Sequence, residues 1–527
     1  MRISTQQYFD TSASKYQTNY SGVVKAQDQA SSGIRVQTAS DDPVAAARLL
    51  QLQQQKDMLG QFNGNINTLQ NSLTNEESVL KSINTALQRG NELALRAANQ
   101  SLSDDDRKSI ASEVGALEDQ VLGLLNSKDA NGNYMFSGSK TDTPPYIRNN
   151  DGTYTYQGDE TPLSLQISDN LSMAGGDTGK SMMESSTNTG RTQATLLPPA
   201  VNDGKVAVSA GTVTSGVTYT KSFTDGQPYK LTFSSSTQYS VTDKDGNDVT
   251  SEIPGNGTFD ATKEGASSVN LRGVKFDISL TLGADVAPGA DSDALVAGKA
   301  FTLQSKPDTF SASRSPGNAS TAQVTGGQVT DQAAYASTFP DTGAVIKFTS
   351  GTTYEVYAQP YSPNSKTIAT GTMAAGATSI NAAGVTFDIS GAPGAGDQFA
   401  VSAVSNKNEN ALDTLSQLRK ALETPADGNL VAQNNLKDVV AKTIGNLNNA
   451  SSQIDQVRGS IGARQNALDL QTDENTSLGT ANTNTMSSLG NVDMGQAAIN
   501  LQLQQTMLQA SQLAFVKISQ LSLFNKM

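Results

Sequence analysis

The chain has 527 residues, with 37 Lys plus Arg against 50 Asp plus Glu, a formal charge of −13 and a sequence pI near 4.6. Such a surface repels phosphate backbones and anionic lipid heads, so neither nucleic acid nor membrane is an expected partner. Cys, His and Trp are absent, which removes disulfides, thiolate chemistry and the commonest general base and transition-metal ligand. An enzyme is not expected, nor is a cofactor or a metal.

Taken in chain order, Met1 to Tyr20 is polar and lacks the apolar core of a cleaved secretory signal, so any export is expected to use another route. Phe9, Ala13, Tyr16, Tyr20 and Val23 alternate by four and three, predicting a helix with a thin apolar stripe that Gly33 ends. Asp41, Asp42 and Pro43 form a helix start, because an Asp at the N-cap accepts an orphan amide and Pro at the first helical position loses no needed donor. From Pro43 to about Asn99, Leu52, Leu59, Ile66, Leu73, Leu80, Leu87 and Ala94 recur every seventh residue, as a long coiled-coil helix requires. Ser103 with Asp104, Asp105 and Asp106 opens another helix through Ile110, Val114, Leu117, Val121 and Leu124.

Helical spacing stops after Asn126, and from there to about Val404 the chain reads as short strands with Gly, Asp and Asn turns. The middle contains a duplication. GTVTSGVTY from Gly211 is matched by GQVTDQAAY from Gly327, Phe223 by Phe339, LTFSSSTQYSV ending at Val241 by IKFTSGTTYEV ending at Val356, and GVKFDIS from Gly273 by GVTFDIS from Gly384. Helix resumes with Leu412, Leu415, Leu418 and Leu422, then with Val440, Leu447, Ile454, Ile461 and Leu468 spaced in sevens. Thr472 to Thr485 reads as a polar connector. A last helix carries Met494, Leu501, Leu508 and Phe515 every seventh residue, with Leu503, Met507, Ala514, Ile518, Leu521 and Phe524 widening the stripe beyond a two-helix seam.

A helix with one apolar stripe must bury it, and the stripes of matching length lie at opposite ends of the chain. The expected fold is therefore α+β and multidomain: a long antiparallel coiled-coil-like helical stalk formed by both chain termini, with inserted all-β modules. The expected domains are 1–42 with 486–527 as terminal assembly segments, 43–195 with 405–485 as the stalk, and β modules over 196–306 and 307–404. The stalk seam is Leu52, Leu59, Ile66, Leu73, Leu80, Leu87, Leu447, Ile454, Ile461 and Leu468. The expected assembly interface is Phe9, Tyr16, Tyr20, Val23, Met494, Leu501, Leu503, Met507, Leu508, Phe515, Ile518, Leu521 and Phe524.

Three motifs have a chemical and a plainer reading. AGGDTGKS from Ala174 to Ser181 fits a loose phosphate-loop pattern but lacks the parallel α/β context. DKDGND from Asp243 resembles a calcium loop with its Gly misplaced and Pro254 in place of the last carboxylate, so a hairpin turn is expected. Paired acids such as Asp104 with Asp105, or Asp159 with Glu160, read as solvated carboxylates rather than a glycosidase pair.

SSGIRVQTASDDPVAAARL from Ser31 to Leu49 resembles the N-terminal signature of the flagellin superfamily. GNYMFSGSKTDTPPY from Gly132, DGTYTYQGD from Asp151, IGARQNALD from Ile461 and the segment from Met494 onward resemble its hook-associated protein 3 branch. The resemblance covers about half the chain and leaves out residues 196–404. It implies a secreted structural subunit at the hook–filament junction, polymerising through paired terminal helices. It also implies partners: copies of itself in a ring, a neighbouring hook-associated protein on the hook side, flagellin on the filament side, and an export chaperone for the C-terminal segment. A filament-forming flagellin is the near alternative, separated by Pro43, the Met135–Tyr146 motif and the Leu523, Phe524 ending. A surface adhesin or secreted enzyme carried on the β modules is the distant one.

The terminal stripes are too sparse to offset the entropy of ordering both segments alone, so these ends are expected to order fully only against neighbouring subunits. Hydrogen exchange on the isolated monomer should show weak protection in both terminal segments; strong protection there would refute the expectation.

Overall fold

The computed structural model describes residues 5–99, 101–259, 267–282, 286 and 289–524, and of these it gives no side-chain environment for 5–6, 290, 518 and 521–524. The helices are α1 (Thr5–Ser32), α2 (Pro43–Ala97), α3 (Asp104–Leu125), four short segments α4 (Gly216–Thr218), α5 (Thr224–Gly226), α6 (Ala290–Val296) and α7 (Gln332–Thr338), then α8 (Ala411–Glu423), α9 (Leu430–Gly490) and α10 (Met494–Phe524). Contacts divide the chain into two compact units. One holds Met1–Thr74, Leu163–Gly175 and Ile461–Met527; the other holds Asn75–Pro162 and Gly176–Ser460.

In the first unit α1 packs against α10, and the first half of α2 runs antiparallel to the end of α9. Gln70 Nε2 donates to Asp469 Oδ1 at 2.7 Å, Gln465 Nε2 to Thr74 Oγ1 at 3.5 Å and Asn475 Nδ2 to Asn63 Oδ1 at 3.1 Å. Advancing along α2 matches retreating along α9. Ile66, Leu73, Ile461 and Leu468 are fully buried in this seam, while Leu52 and Leu59 are half-buried. A hairpin of β3 (Ser164–Ser168) and β4 (Leu171–Ala174) docks on the pair through Asn65 Nδ2 to Gln166 O at 2.7 Å and Ser72 Oγ to Gly175 O at 2.7 Å.

The polar stretch Thr472–Thr485, expected as a connector, is helical throughout as part of α9. Its hydroxyls fold back on the preceding turn, Thr480 to Thr476 O at 2.9 Å and Thr483 to Gly479 O at 2.8 Å, and buried Asn475 also donates to Ile167 O at 3.3 Å. The side chains satisfy themselves against helix and hairpin, so no apolar stripe is needed to hold the segment.

In the second unit α2 and α9 also pair antiparallel. Asn84 Nδ2 meets Asp455 Oδ1 at 3.2 Å, and one heptad further along α2 Asn91 Nδ2 meets Asn448 Oδ1 at 2.7 Å. Leu80, Leu87, Leu447 and Ile454 are buried here. A Cβ on Gly90 would lie 3.0 Å from Leu415 Cδ2 and 3.2 Å from Leu447 Cδ1, so the helices cross where α2 has no side chain. α3 starts as the Ser-Asp signal predicts: Ser103 Oγ accepts from Asp106 N at 3.2 Å and Asp106 Oδ2 accepts from Ser103 N at 3.1 Å, a reciprocal cap. It packs on α8 through fully buried Glu118, which takes Arg419 Nε at 2.8 Å and Tyr154 OH at 2.6 Å. Tyr154 belongs to a hairpin of β1 (Tyr146–Arg148) and β2 (Tyr154–Tyr156).

The central strands form two bodies of one topology. The first contains β5 (Thr192–Leu196), β6 (Val206–Val208), β7 (Thr212–Val213), β8 (Tyr229–Phe233), β9 (Tyr239–Thr242), β10 (Ser267–Leu271), β11 (Val274–Leu280) and β12 (Ala300–Ser305). Its sheets have orders β5-β12-β8-β9 and β10-β11-β6, with β7 also on β11. The second contains β13 (Thr309–Arg314), β14 (Gln323–Val329), β15 (Ala344–Phe348), β16 (Thr353–Ala358), β17 (Thr367–Thr372), β18 (Ser379–Ala382), β19 (Val385–Ser390) and β20 (Gln398–Val404). Its orders are β13-β20-β15-β16-β17 and β14-β19-β18. Each body has its own buried cluster, one around Phe223, Leu231 and Phe276, the other around Phe348, Phe387 and Phe399. β5, which ends at Leu196, pairs along the edge of β12.

The matched sequence segments occupy matched positions. Tyr219 and Phe223 stack at 5.5 Å between ring centroids, and Tyr335 and Phe339 lie tilted at 5.3 Å. Gly273, at φ +87°, accepts from Thr214 N at 2.9 Å, as Gly384, at φ +80°, accepts from Thr330 N at 3.0 Å. A Cβ at either glycine would collide with backbone, 2.9 Å from Ser215 O or 2.3 Å from Tyr335 N, so both positions require glycine for φ and for space.

The first body meets α9 at a cavity of about 340 Å³ lined by Ala210, Asp277, Lys306, Lys437, Asp438 and Lys442, among others. Asp438 Oδ2 accepts from Ala210 N at 3.0 Å. Burial, foremost, and then the Asp277 carboxylate push Asp438 up to about 6, outweighing the Ala210 amide and Lys437. Because the folded value lies above the unfolded one, the contribution is complete below the unfolded carboxyl range and is lost as pH rises toward 6. Asp438→Asn, whose carbonyl keeps the Ala210 bond, should remove a stability decrease on the order of 2 kcal/mol between pH 4 and 6. Melting curves of wild type and variant across that range check it, and parallel curves would refute it.

Candidate assembly interface

α1 and α10 pair antiparallel because each has an apolar stripe and few charges to oppose it. Phe9 and Phe515 rings approach to 5.2 Å, Tyr16 and Phe515 to 6.2 Å. Asn19 Nδ2 donates to Ser511 Oγ and, at 3.4 Å, to Met507 O. Gly22 lets Gln504 approach, since a Cβ there would lie 2.7 Å from Gln504 Oε1.

The expected interface residues fall into three sets. Phe9, Tyr16, Val23, Leu501, Leu508 and Phe515 are half-buried. Tyr20, Met494, Leu503 and Met507 stand open, at 56%, 59%, 55% and 44% exposure. Ile518, Leu521 and Phe524 lie outside the residues whose side chains are described. Sequence reasoning missed further exposed groups: Tyr8 and Val24 on α1, and Ile499, Leu513 and Val516 on α10. A heptad template selects one stripe and ignores them, whereas the mean apolarity of the helix reveals them. α10 is apolar on faces that α1 does not reach, a pattern normally found in helices buried all round.

A polar joint holds this pair to the next helices. Val492 N donates to Gly33 O at 2.9 Å and Arg35 N to Gly490 O at 2.7 Å, so the α1–α2 turn and the α9–α10 turn bond as a short bridge. Gly33 takes the left-handed conformation at φ +72° that ends α1. Arg35 Nη2 donates to Leu489 O at 2.7 Å and Nη1 to Asp42 Oδ2 at 3.1 Å. The other Asp42 oxygen accepts from Ala45 N at 3.0 Å and caps α2. The Ala45 amide and then Arg35 lower the Asp42 carboxyl below its ordinary value. Asp41 pairs with Lys25 and accepts from Thr38 N at 2.9 Å and Gln37 N at 3.1 Å, and these partners, Lys25 foremost, hold its carboxyl far below the usual range.

The motifs with alternative chemical readings are occupied structurally. Lys180 pairs with Glu160, and a Cβ on Gly179 would lie 2.7 Å from the Tyr156 ring, so side chains fill the space a phosphate cradle needs. Asp243 accepts from Asp245 N at 3.0 Å and Asn247 N at 2.9 Å, closing a turn. Asp104 takes Ala426 N at 2.9 Å and pairs with Arg107.

Residues 3–141 match the bacterial flagellin N-terminal helical region, and residues 444–525 match the bacterial flagellin C-terminal helical region. Both ends of the chain are thus similar to the helical regions of bacterial flagellin. The matched regions are the two ends that pair here. Among its relatives, the flagellar hook-associated protein 3 of Salmonella typhimurium is 35% identical over 187 residues, covering 36% of this chain and 58% of the relative. That of Escherichia coli K12 is 36% identical over 194 residues, covering 36% and 58%. The chain thus spans under two thirds of the length of these relatives. A flagellar hook associated protein-3 structure from Legionella pneumophila aligns with a TM-score of 0.47 and 22% identity over 83% of this chain and 98% of that one.

Asp42→Ala should cost about 1 kcal/mol at the start of α2. Hydrogen exchange at Val44 to Ala46 should accelerate with α3 unaffected, and unchanged exchange would refute the capping role.

Proposed function

We propose that the chain is a structural subunit of the bacterial flagellum that joins hook to filament and polymerises through α1 and α10. The observation that carries this reading is the paired terminal helices whose outer flanks remain apolar and uncovered, in the two regions that match flagellin. Exposed Leu503, Met507 and Leu513 in a single chain are the kind of patch that association covers. Neighbouring copies in a ring supply that cover, with a hook-associated protein on one side and flagellin on the other. The named relatives at 35% and 36% identity support the junction role over the filament role.

Export without a cleaved signal fits the same reading, with a chaperone shielding α10 until assembly. Among the described residues no helix is long and apolar enough to cross a membrane. The absence of His and Cys agrees with a structural rather than a catalytic role.

Deletion of the gene should leave hooks without filaments and release flagellin monomers into the medium; intact filaments would overturn the junction role. Purified protein that grows long filaments by itself would favour a filament flagellin instead. Met507→Asp should leave the melting of the monomer within about 0.5 kcal/mol of wild type, because the side chain is exposed, yet fail to complement the deletion. A Met507→Asp strain that swims normally would remove this face from the interface.

A further inference from the structure

The two β bodies enclose a cleft of about 840 Å³, within the usual volume of a small-molecule site. Arg191, Lys244, Lys306 and Lys407 line it, against Asp225 and Asp308, so it is locally positive in a chain of charge −13. Among the described residues, none of the four cations has an ion-pair partner, whereas half-buried or buried Arg107, Arg272 and Arg419 each pair with carboxylates.

Arg191 is the exception that the fold does not explain. It is only 9% exposed, its Nε has no hydrogen-bond partner, and its guanidinium lies over the Tyr219 ring at 4.7 Å. Burying a guanidinium without an acid is costly, and such a group persists where an anion completes it. Among the described residues Asp308 makes no ion pair with it; its oxygens accept from Tyr335 OH at 2.9 Å and Asn406 N at 3.0 Å.

The rest of the wall specifies the ligand further. Gln193, Gln304, Gln328 and Gln332 offer paired donors and acceptors beside Thr220 and Thr330, a lining that suits adjacent hydroxyl groups. A ligand with carboxylates and many hydroxyls satisfies both parts of the wall. We propose that this cleft binds an acidic saccharide, with Arg191 taking a carboxylate and Lys407 at the rim. The site lies away from α1 and α10 in sequence and is independent of the assembly role.

Trigalacturonate titrated into the full-length protein by calorimetry tests it, with maltotriose as the neutral control and inorganic phosphate as the plain anion. The expected result is saturable binding of one trigalacturonate and none of maltotriose. Lys407→Ala, an exposed position, should weaken it about tenfold with melting unchanged, and Arg191→Gln should weaken it at least as much. If Arg191→Gln fails to fold, Lys407→Ala and Lys244→Ala decide. Absence of trigalacturonate binding, equal affinity in the folded variants, or phosphate binding as tightly as the saccharide would each overturn the proposal.

Discussion

The antiparallel pairing of two helical segments from opposite ends of the chain is the constraint on which the structure depends. Neither α2 nor α9 can bury its seam alone, and each supplies what the other lacks. Pairing them requires closing a loop of several hundred residues, whose entropy grows only slowly with length. That is why an insert as large as two β bodies is tolerated between them. The cross-helix polar pairs, Gln70 with Asp469, Asn84 with Asp455 and Asn91 with Asn448, add register to what apolar packing alone leaves loosely specified.

The joint at Gly33, Arg35, Asp42, Gly490 and Val492 converts this pairing into placement of the terminal helices. A turn between helices leaves backbone amides and carbonyls to satisfy. Here the two turns satisfy each other, and one arginine bridges the α9 carboxyl end to the α2 cap. The Ser31–Leu49 segment that carries the superfamily resemblance therefore supplies most of the polar groups of this joint. Its residue types follow from that: Gly for the left-handed turn, Asp for the cap and Pro where no donor is needed.

Much of this was legible from spacing. Ile66, Leu73, Leu80, Leu87, Leu447, Ile454, Ile461 and Leu468 all lie in buried seams, because a seven-residue period admits few other geometries. The end of α9 was not legible: Thr and Asn that signal a connector in isolation become helix-compatible when their hydroxyls bond the turn behind them and Asn475 reaches a hairpin 308 residues away. β5 escaped for a related reason. TQATL is a polar edge strand whose pairing with β12 is set by the sheet it joins, not by its own alternation. Arg191 gave no signal at all, since the lack of a carboxylate near a cation is a property of the folded arrangement.

The two ends of the stability scale are thus built differently. Each β body encloses its own apolar cluster. α1 and α10 share a narrow line of contacts around Phe515 and leave Tyr8, Leu503 and Val516 to water. Local opening free energy follows buried apolar contact, and the terminal pair buries less of it than either β body. An oligomer that covers those flanks stabilises the pair by mass action. If copies associate through these flanks as proposed, ordering and association are one process, and ends made stable alone would forfeit the coupling.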